Sequence, residues 1–339
     1  MLFRSESTSA PNATVYVDSL TAAASSTNAD FAIVPKGNGA ILADIPDNTT
    51  SGGNKRGTEA VDLQMARSNA NQVASGQYSF LAGAFSRSSN YASIAMGESA
   101  TATGSVSIAL GYQPSSSSDQ TISIGTQTTA SGFRSMAIGG LGHTATGTYS
   151  TAIGGTSNVC SGDYSVTLGS SCTANRGNNV ALGNNATVQS IGGRHALAGG
   201  RIATDGDCQK SIFYLRRRTT DATATTLFTE DATTANALNQ INLVNQSAYR
   251  FKGTIIGKQS GSTNTSAWDV DGSIVRGANA AATTLVVGNV NLVSNTPAWG
   301  TPTLAADTTN GGLRVQVTGA AATNIQWTAV IETTEVIYA

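Results

Sequence analysis

A five-residue string of the type Ser-Ile-Ala-Leu-Gly returns through the middle of the chain. It reads SIAMG, SIALG, TISIG, SMAIG, STAIG, SVTLG and NVALG, with weaker copies SFLAG and HALAG at the two ends. The closing glycines are Gly83, Gly97, Gly111, Gly125, Gly139, Gly154, Gly169, Gly183 and Gly199. Their spacings are 14, 14, 14, 14, 15, 15, 14 and 16 residues. A second glycine lies seven residues before the closing one in six copies: Gly76, Gly104, Gly132, Gly147, Gly162 and Gly192. A period this short holds two short strands and two turns, and units of that size become stable by stacking on one another.

The columns of the repeat suggest how it stacks. The second strand of each copy carries bulk at two alternating positions, as in Ile94 and Met96, Ile108 and Leu110, Met136 and Ile138, Val180 and Leu182. The residue between them is small. Successive strand side chains face opposite ways, so this strand is expected to be buried on both faces. The first strand alternates Ala with Thr, as in Ala100, Thr101 and Ala102, which predicts one inward and one solvated face. At a strand spacing of 4.7–4.9 Å, nine coils span roughly 40 Å. A single thin roll cannot cover the second strand's outer face alone. The small column of Ala95, Ala109, Ala137, Ala152 and Ala181 is therefore expected to provide the surface on which several copies of the chain pack around a shared axis.

Composition excludes several classes of function. Charged residues are 12% of the 339, and the net charge of −1 offers no footprint for nucleic acid. No apolar run is long enough to span a bilayer as a helix, and the opening Met-Leu-Phe-Arg-Ser-Glu-Ser has no apolar core of a signal peptide. Three cysteines (Cys160, Cys172 and Cys208) are too few for a disulfide framework. With two histidines and scattered acids, neither a metal nor a cofactor is expected.

The repeat resembles the head repeats of trimeric autotransporter adhesins, whose coils carry a similar Ser-Val-Ala-Ile-Gly string. The resemblance implies a trimer of left-handed parallel β-rolls. The stretches Phe31-Ala-Ile-Val-Pro-Lys-Gly-Asn-Gly39, Ala60-Val-Asp-Leu-Gln64 and Gln72-Val-Ala-Ser-Gly76 resemble bacteriophage tail-fibre sequence. The C-terminal third is similar to a module at the ends of phage fibre proteins, through Tyr249-Arg-Phe-Lys-Gly-Thr254, Ala267-Trp-Asp-Val270 and Arg276-Gly-Ala-Asn-Ala280.

Three segments follow. Residues 1–73 read as a virion-attachment segment, with a hairpin turn at 36–39 and one short helix within 58–70. Residues 74–204 form the repetitive roll and contain no Lys. In residues 205–339 charge returns and all three Trp occur. Their strand-like runs, at 211–215, 241–244, 249–256, 273–275, 284–287, 313–317 and 325–331, predict a β-sandwich of jelly-roll type, with a tight turn at Asp271-Gly272. The fold class expected is all-β: a trimeric parallel β-roll of about nine coils of 14–15 residues, followed by a C-terminal β-sandwich.

The candidate chemistry is thin. Glu98, Asp119 and Asp163 fall in different coils and columns, whereas a glycosidase needs two carboxylates roughly 5–10 Å apart. Asp269 and Asp271 share a strand face beside Trp268 and read as solvated acids rather than a catalytic pair. His143 sits at the position of Ala100 in the repeat and His195 at that of Ser93. A trimer axis through either would make an ion site; a hydrogen-bonded or exposed His is the simpler reading. The run Arg216-Arg-Arg218 suits phosphate or a sialylated glycan, or equally a basic strand edge that deters aggregation. Trp299, between Pro297 and Pro302, is the candidate receptor contact, since an exposed aromatic on a loop can stack on sugar rings. The Thr column is broken by Arg87, Ser115, Val159 and Gln189, which argues against a flat ice-binding array.

These observations point to a structural phage tail fibre or spike that mediates host attachment, without enzymatic activity. The alternatives are a capsid fibre or decoration protein and a glycan-degrading tailspike. The partners expected are two further copies of the chain, tail or baseplate proteins at the N-terminus, and a host-surface glycan or protein at the tip. Nucleic acid and membrane insertion are not expected. The expected location is the virion, after assembly in the host bacterial cytoplasm.

Overall fold

A computed structural model describes residues 33–338. The described residues are all-β, with one short 3-10 turn at Ala280–Ala282. Two parallel ladders make a β-solenoid of about nine turns. One ladder runs through Phe80–Ala84, Ile94–Glu98, Ile108–Tyr112, Ile122–Thr126, Met136–Leu141, Thr151–Ile153, Val166–Ser170 and Val180–Asn184 to Arg194–Gly199. The other stacks two-residue strands from Arg87–Ser88 to Thr173–Ala174. Equivalent residues of successive coils pair directly, for example Ile94 with Ile108 and Ala95 with Ala109. The glycines keep the coils this close. Gly111 has φ +125°, and a Cβ there would lie 2.2 Å from the carbonyl oxygen of Gly125 in the next coil.

The interior of the roll is lined by Ala, Ser and other small residues. Ala95, Ala109, Ala137, Ala152 and Ala181 have no exposed surface within a single chain. They face Ala102, Ala130, Ala145, Cys160 and Ala174 of the short ladder, which are equally buried. Several interior hydroxyls donate to turn carbonyls, as in Ser107 Oγ to Gly104 O (2.6 Å) and Thr121 Oγ1 to Ser118 O (2.7 Å), while those of Ser150 and Thr167 have no partner among the described residues. The expectation that the alanine column packs against other chains is therefore corrected. Two sheets this close favour small side chains between them, so Ala turns inward. The bulky positions turn outward, where Met96, Leu168 and Leu197 are each more than 40% exposed in the single chain.

The ladder starts before the regular repeat. Ile41–Leu42 pairs parallel with Val61–Asp62, which pairs with Phe80–Ala84. Residues 58–70 contain a strand and turns where a helix was expected, and the turn after Pro35 leads into a parallel pairing, not a hairpin. Phe31, in the first strand of that expected hairpin, lies outside the described residues. These early coils are longer than fourteen residues, so their register was hidden. Their interior holds charge, with Arg56 Nε 2.6 Å from Asp62 Oδ2 and Arg67 Nη1 2.8 Å from Asp44 Oδ2.

At the other end the same sheet turns antiparallel. Arg194–Gly199 pairs with Cys208–Thr219, and the order continues through Ile325–Ile337, Ser247–Gln259 and Thr265–Arg276 to Thr283–Thr296. A smaller sheet of Ala224–Thr226, Gly312–Thr318, Ile241–Asn242 and Gly300–Asp307 covers one face. Between them lies an apolar core that includes Phe213, Leu215, Phe251, Trp268, Val315 and Trp327. Asp271-Gly272 is mid-strand, not a turn. Gly272 pairs with Phe251, and a Cβ at Gly272 would lie 2.6 Å from that ring.

The seam between roll and sandwich is polar and buried. Arg194, fully buried, donates to Ser211 Oγ (2.9 Å) and Gln189 Oε1 (2.6 Å) and ion-pairs with buried Glu335. Gln209 and Thr333 also bond Glu335 (3.1 and 2.5 Å). Breaking one partner of such a pair costs about 3–5 kcal/mol, because the other charge stays buried. Arg194→Met is expected to lower thermal stability strongly, whereas Arg201→Met, at an exposed pair, is not. Ala109→Leu overpacks the roll and should cost about 1–3 kcal/mol or more. Thermal unfolding of the three variants checks both expectations.

Candidate functional site

The outer face of the large C-terminal sheet carries ordered charge. Arg218 and Lys258 both pair with Gln326, so one row reads Arg218–Gln326–Lys258 across three neighbouring strands. Two strand spacings put the outer backbones of that row about 10 Å apart. Successive rows read Arg216–Thr328–Ile256, then Tyr214–Val330–Thr254–Asp269, then Ile212–Glu332–Lys252–Asp271. The charges in the last row are matched. Lys210 and Lys252 lie 3.0 and 3.8 Å from Glu332, and Arg250 lies 3.0 Å from Asp271. The hydrogen bond from Lys210, with the positive charges of Lys210 and Lys252, holds the Glu332 carboxyl below its usual range against the opposing effect of desolvation.

The opposite end of the face is cationic. Arg216 Nη1 donates to Thr229 O (2.9 Å), and Arg217 donates to Ala232 O with its guanidinium over Phe228. The strand segment bearing this run lies beyond its pairing with Arg194–Gly199 and is bridged on that side to Phe228. A depression lined by Arg218, Thr220, Lys258, Ser260, Asn324 and Gln326 encloses about 420 Å³. A second depression, of about 440 Å³, contains Lys252, Thr254, Asp269, Asp271 and Glu332. Asp269 and Asp271 are two residues apart on one strand, so their backbones are separated by about 7 Å.

Other sequence candidates fall elsewhere. Trp299 is 5% exposed, with its ring centroid 5.4 Å from that of Trp327 in an edge-on contact. Its backbone N–H donates to Asn295 Oδ1 (2.8 Å), so it packs under its own loop and offers no ring to a receptor. Asp119 and Asp163 cap turns, accepting from Ser105 N (2.9 Å) and Thr148 N (2.8 Å). His143 is inside the roll, accepting from Asn158 N at Nδ1 (3.2 Å), which removes it from any axis between chains. His195 pairs with Val180 and so occupies the outward bulky column, beside Tyr214. Arg194 takes the buried serine column instead, because the register closes at Ala198 and not at Gly199. Among the described residues no group of three or more His, Cys, Asp or Glu is placed to hold a metal ion.

Comparisons with known proteins add the following. No family model matches the sequence, and no curated protein matches it. Among solved structures, the chain is similar to the tailspike protein gp49 of Acinetobacter baumannii bacteriophage Fri1, described as a capsular polysaccharide depolymerase. The likeness has 10% identity and a TM-score of 0.24 and covers 87% of this chain and 56% of that one. It is also similar to the tailspike protein of Acinetobacter phage vB_ApiP_P1, at 9% identity and a TM-score of 0.18, covering 84% of this chain and 58% of that one. The chain thus spans less than two thirds of the length of either neighbour. The expectation of a protein without enzymatic activity is corrected here: a described depolymerase is among the matches, and the absence of catalysis is withdrawn. At this TM-score the activity is stated of that tailspike alone.

Burial pushes the His143 imidazole below its ordinary pKa, against a smaller upward effect of a backbone hydrogen bond at Gly139. The folded state therefore favours neutral His143. As pH falls through the ordinary value of about 6.5, the unfolded chain takes up the proton first and stability declines. His195, also lowered by burial, acts in the same direction. Thermal melts between pH 7.5 and 5 should show this loss, and His143→Asn should reduce its slope.

Proposed function

We propose that this chain is a fibre or spike subunit of a bacteriophage virion, that its C-terminal third contacts the host surface, and that it works as a homotrimer. The observation that carries the reading is the exposed, charge-ordered sheet face at the end of a long stacked ladder. A parallel ladder with paired backbone groups throughout is a stiff spacer, and a polar sheet face at its end is suited to binding a hydrated surface glycan. The outward Ile, Leu, Met and Val columns support oligomerisation, since burying each such side chain is worth about 1.5–3 kcal/mol. In this reading residues 1–73 attach to tail or baseplate proteins, and the boundaries at 73 and 204 are functional divisions laid over one continuous sheet. Purified full-length protein is expected to bind cells that the phage infects and to compete with phage adsorption. Arg216→Gln with Arg218→Gln should weaken both while leaving the melting temperature within a few degrees. Undiminished adsorption in the presence of excess protein would favour a purely structural fibre.

A second reading is favoured by one observation: Asp269 and Asp271 lie on the same outward strand face, in a depression with Glu332. Their backbone separation of about 7 Å is within the range of paired carboxylates that cleave glycosidic bonds. In that reading the protein shortens host polysaccharide. Release of reducing ends from purified host polysaccharide, lost in Asp269→Asn, is the expected result. A rate equal in wild type and Asp269→Asn removes this pair from consideration.

A further inference from the structure

We infer that the depression between Arg218 and Lys258 is a binding site for a sugar residue that carries a carboxylate; this rests on the host-contact reading above and gives it a ligand class. Three observations converge. The pocket has two cations on the strands that flank Ile325–Ile337, with Gln326 of that strand between them. Its remaining polar lining is neutral: Thr220, Gln259, Ser260 and Asn324. No carboxylate lines it.

The charge balance separates this pocket from the rest of the face. Lys210 and Lys252 are met by Glu332, and Arg250 by Asp271. Among the described residues Arg218 has no carboxylate partner. The nearest acid along the outer rows is Asp269, two rows away. Two rows are about 13–14 Å along the strands, more than the screening length of about 8–10 Å at ordinary ionic strength. Asp231 borders a neighbouring depression, where Arg216 and Arg217 accompany Arg218. The pocket's own lining therefore carries two positive charges and no negative one, with Asp231 beside Arg218 in the adjoining depression and Asp221 next in the chain to Thr220.

The neutral groups argue for a sugar over a bare anion. A depression of about 420 Å³ is larger than a lone phosphate requires and accommodates one or two pyranose rings. Amides and hydroxyls on its walls donate to and accept from sugar hydroxyls. The planar guanidinium of Arg218 can present two parallel N–H groups to a carboxylate, and Lys258 adds a point charge from the other side. Lys258 Nζ already donates to Gln259 O (3.1 Å) and to Ser262 O, which holds the ammonium at the rim.

The test uses the full-length protein with galacturonate trimer, 3′-sialyllactose, maltotriose and inorganic phosphate, by titration calorimetry at low and physiological salt. At least one acidic sugar is expected to bind, with affinity falling as salt rises, and maltotriose to bind at least about tenfold more weakly. Arg218→Gln and Lys258→Gln should each weaken the acidic sugar about tenfold or more. Lys210→Gln, the same change on the same face beside Glu332 and outside both depressions, should leave binding within twofold. Binding of maltotriose as tight as that of the tighter-binding acid, or no binding of either acid, overturns the proposal. Phosphate binding as tight as the sugars, abolished by the same two variants, also overturns it in favour of a phosphate site. If the double variant loses the acidic sugar yet still adsorbs to host cells as wild type does, the ligand assignment stands and host contact lies elsewhere on the face. If acidic sugars fail while cell adsorption depends on Arg218, host contact stands and the ligand class is wrong.

Discussion

The distance between the two ladders of the roll governs the rest of the structure. Short strands and tight turns bring the ladders so close that the interior is almost entirely Ala, Ser, Thr, Cys and a few amides, with His143 and, in the first regular coil, Leu81 as the larger exceptions. A protein of this length ordinarily builds a core from large apolar side chains. Here those side chains line the outside of the roll, as the columns from Ile94 to Val180 and from Met96 to Leu197. Cohesion inside the roll comes from backbone hydrogen bonds, close-packed methyl groups and hydroxyls tied to turn carbonyls. The large apolar surface remains available to neighbours.

A stack with that interior needs a different construction at its ends. Towards the N-terminus, longer coils replace small residues with Arg56, Asp62, Gln64 and Arg67, whose hydrogen bonds fill the wider interior. At the other end Arg194 replaces the buried serine of the repeat and reaches Glu335 near the end of the chain, and Tyr249 completes the cluster through Gln189 (3.1 Å). Burial and the charge of Glu335 push the Tyr249 phenol well above its ordinary value, so it stays neutral. This network joins the parallel ladder to the antiparallel sheet without a break. Its hydrogen bonds tie the antiparallel sheet to the last coil of the roll.

The repeat was legible because most closing glycines answer a hard contact: at Gly97 a Cβ would lie 2.1 Å from the carbonyl oxygen of Gly111, and where Gly139 and Gly154 have room the following Gly140 and Gly155 make that contact instead. The face assignment was not legible. Both faces of the second strand are apolar in sequence, and which one turns inward depends on the separation of two sheets, a distance that no spacing encodes. The last coil misled for a local reason, since HALAG suggests closure at Gly199 while the pairing closes at Ala198. Most C-terminal strand runs were visible from their β-branched and aromatic residues, but strand order was not. The row Arg218–Gln326–Lys258 joins residues far apart in the chain and exists only through pairing. Trp299 read as exposed because flanking prolines signal a loop; its ring nevertheless packs on Trp327.

The central claim is that the outward columns are covered by further copies of the same chain. Sedimentation equilibrium of the full-length protein at micromolar concentration tests it most directly. The account predicts a single species of three times 34.4 kDa, which Ile124→Glu, in an outward column, converts to folded chains of lower mass. A folded wild-type monomer at that concentration would contradict it.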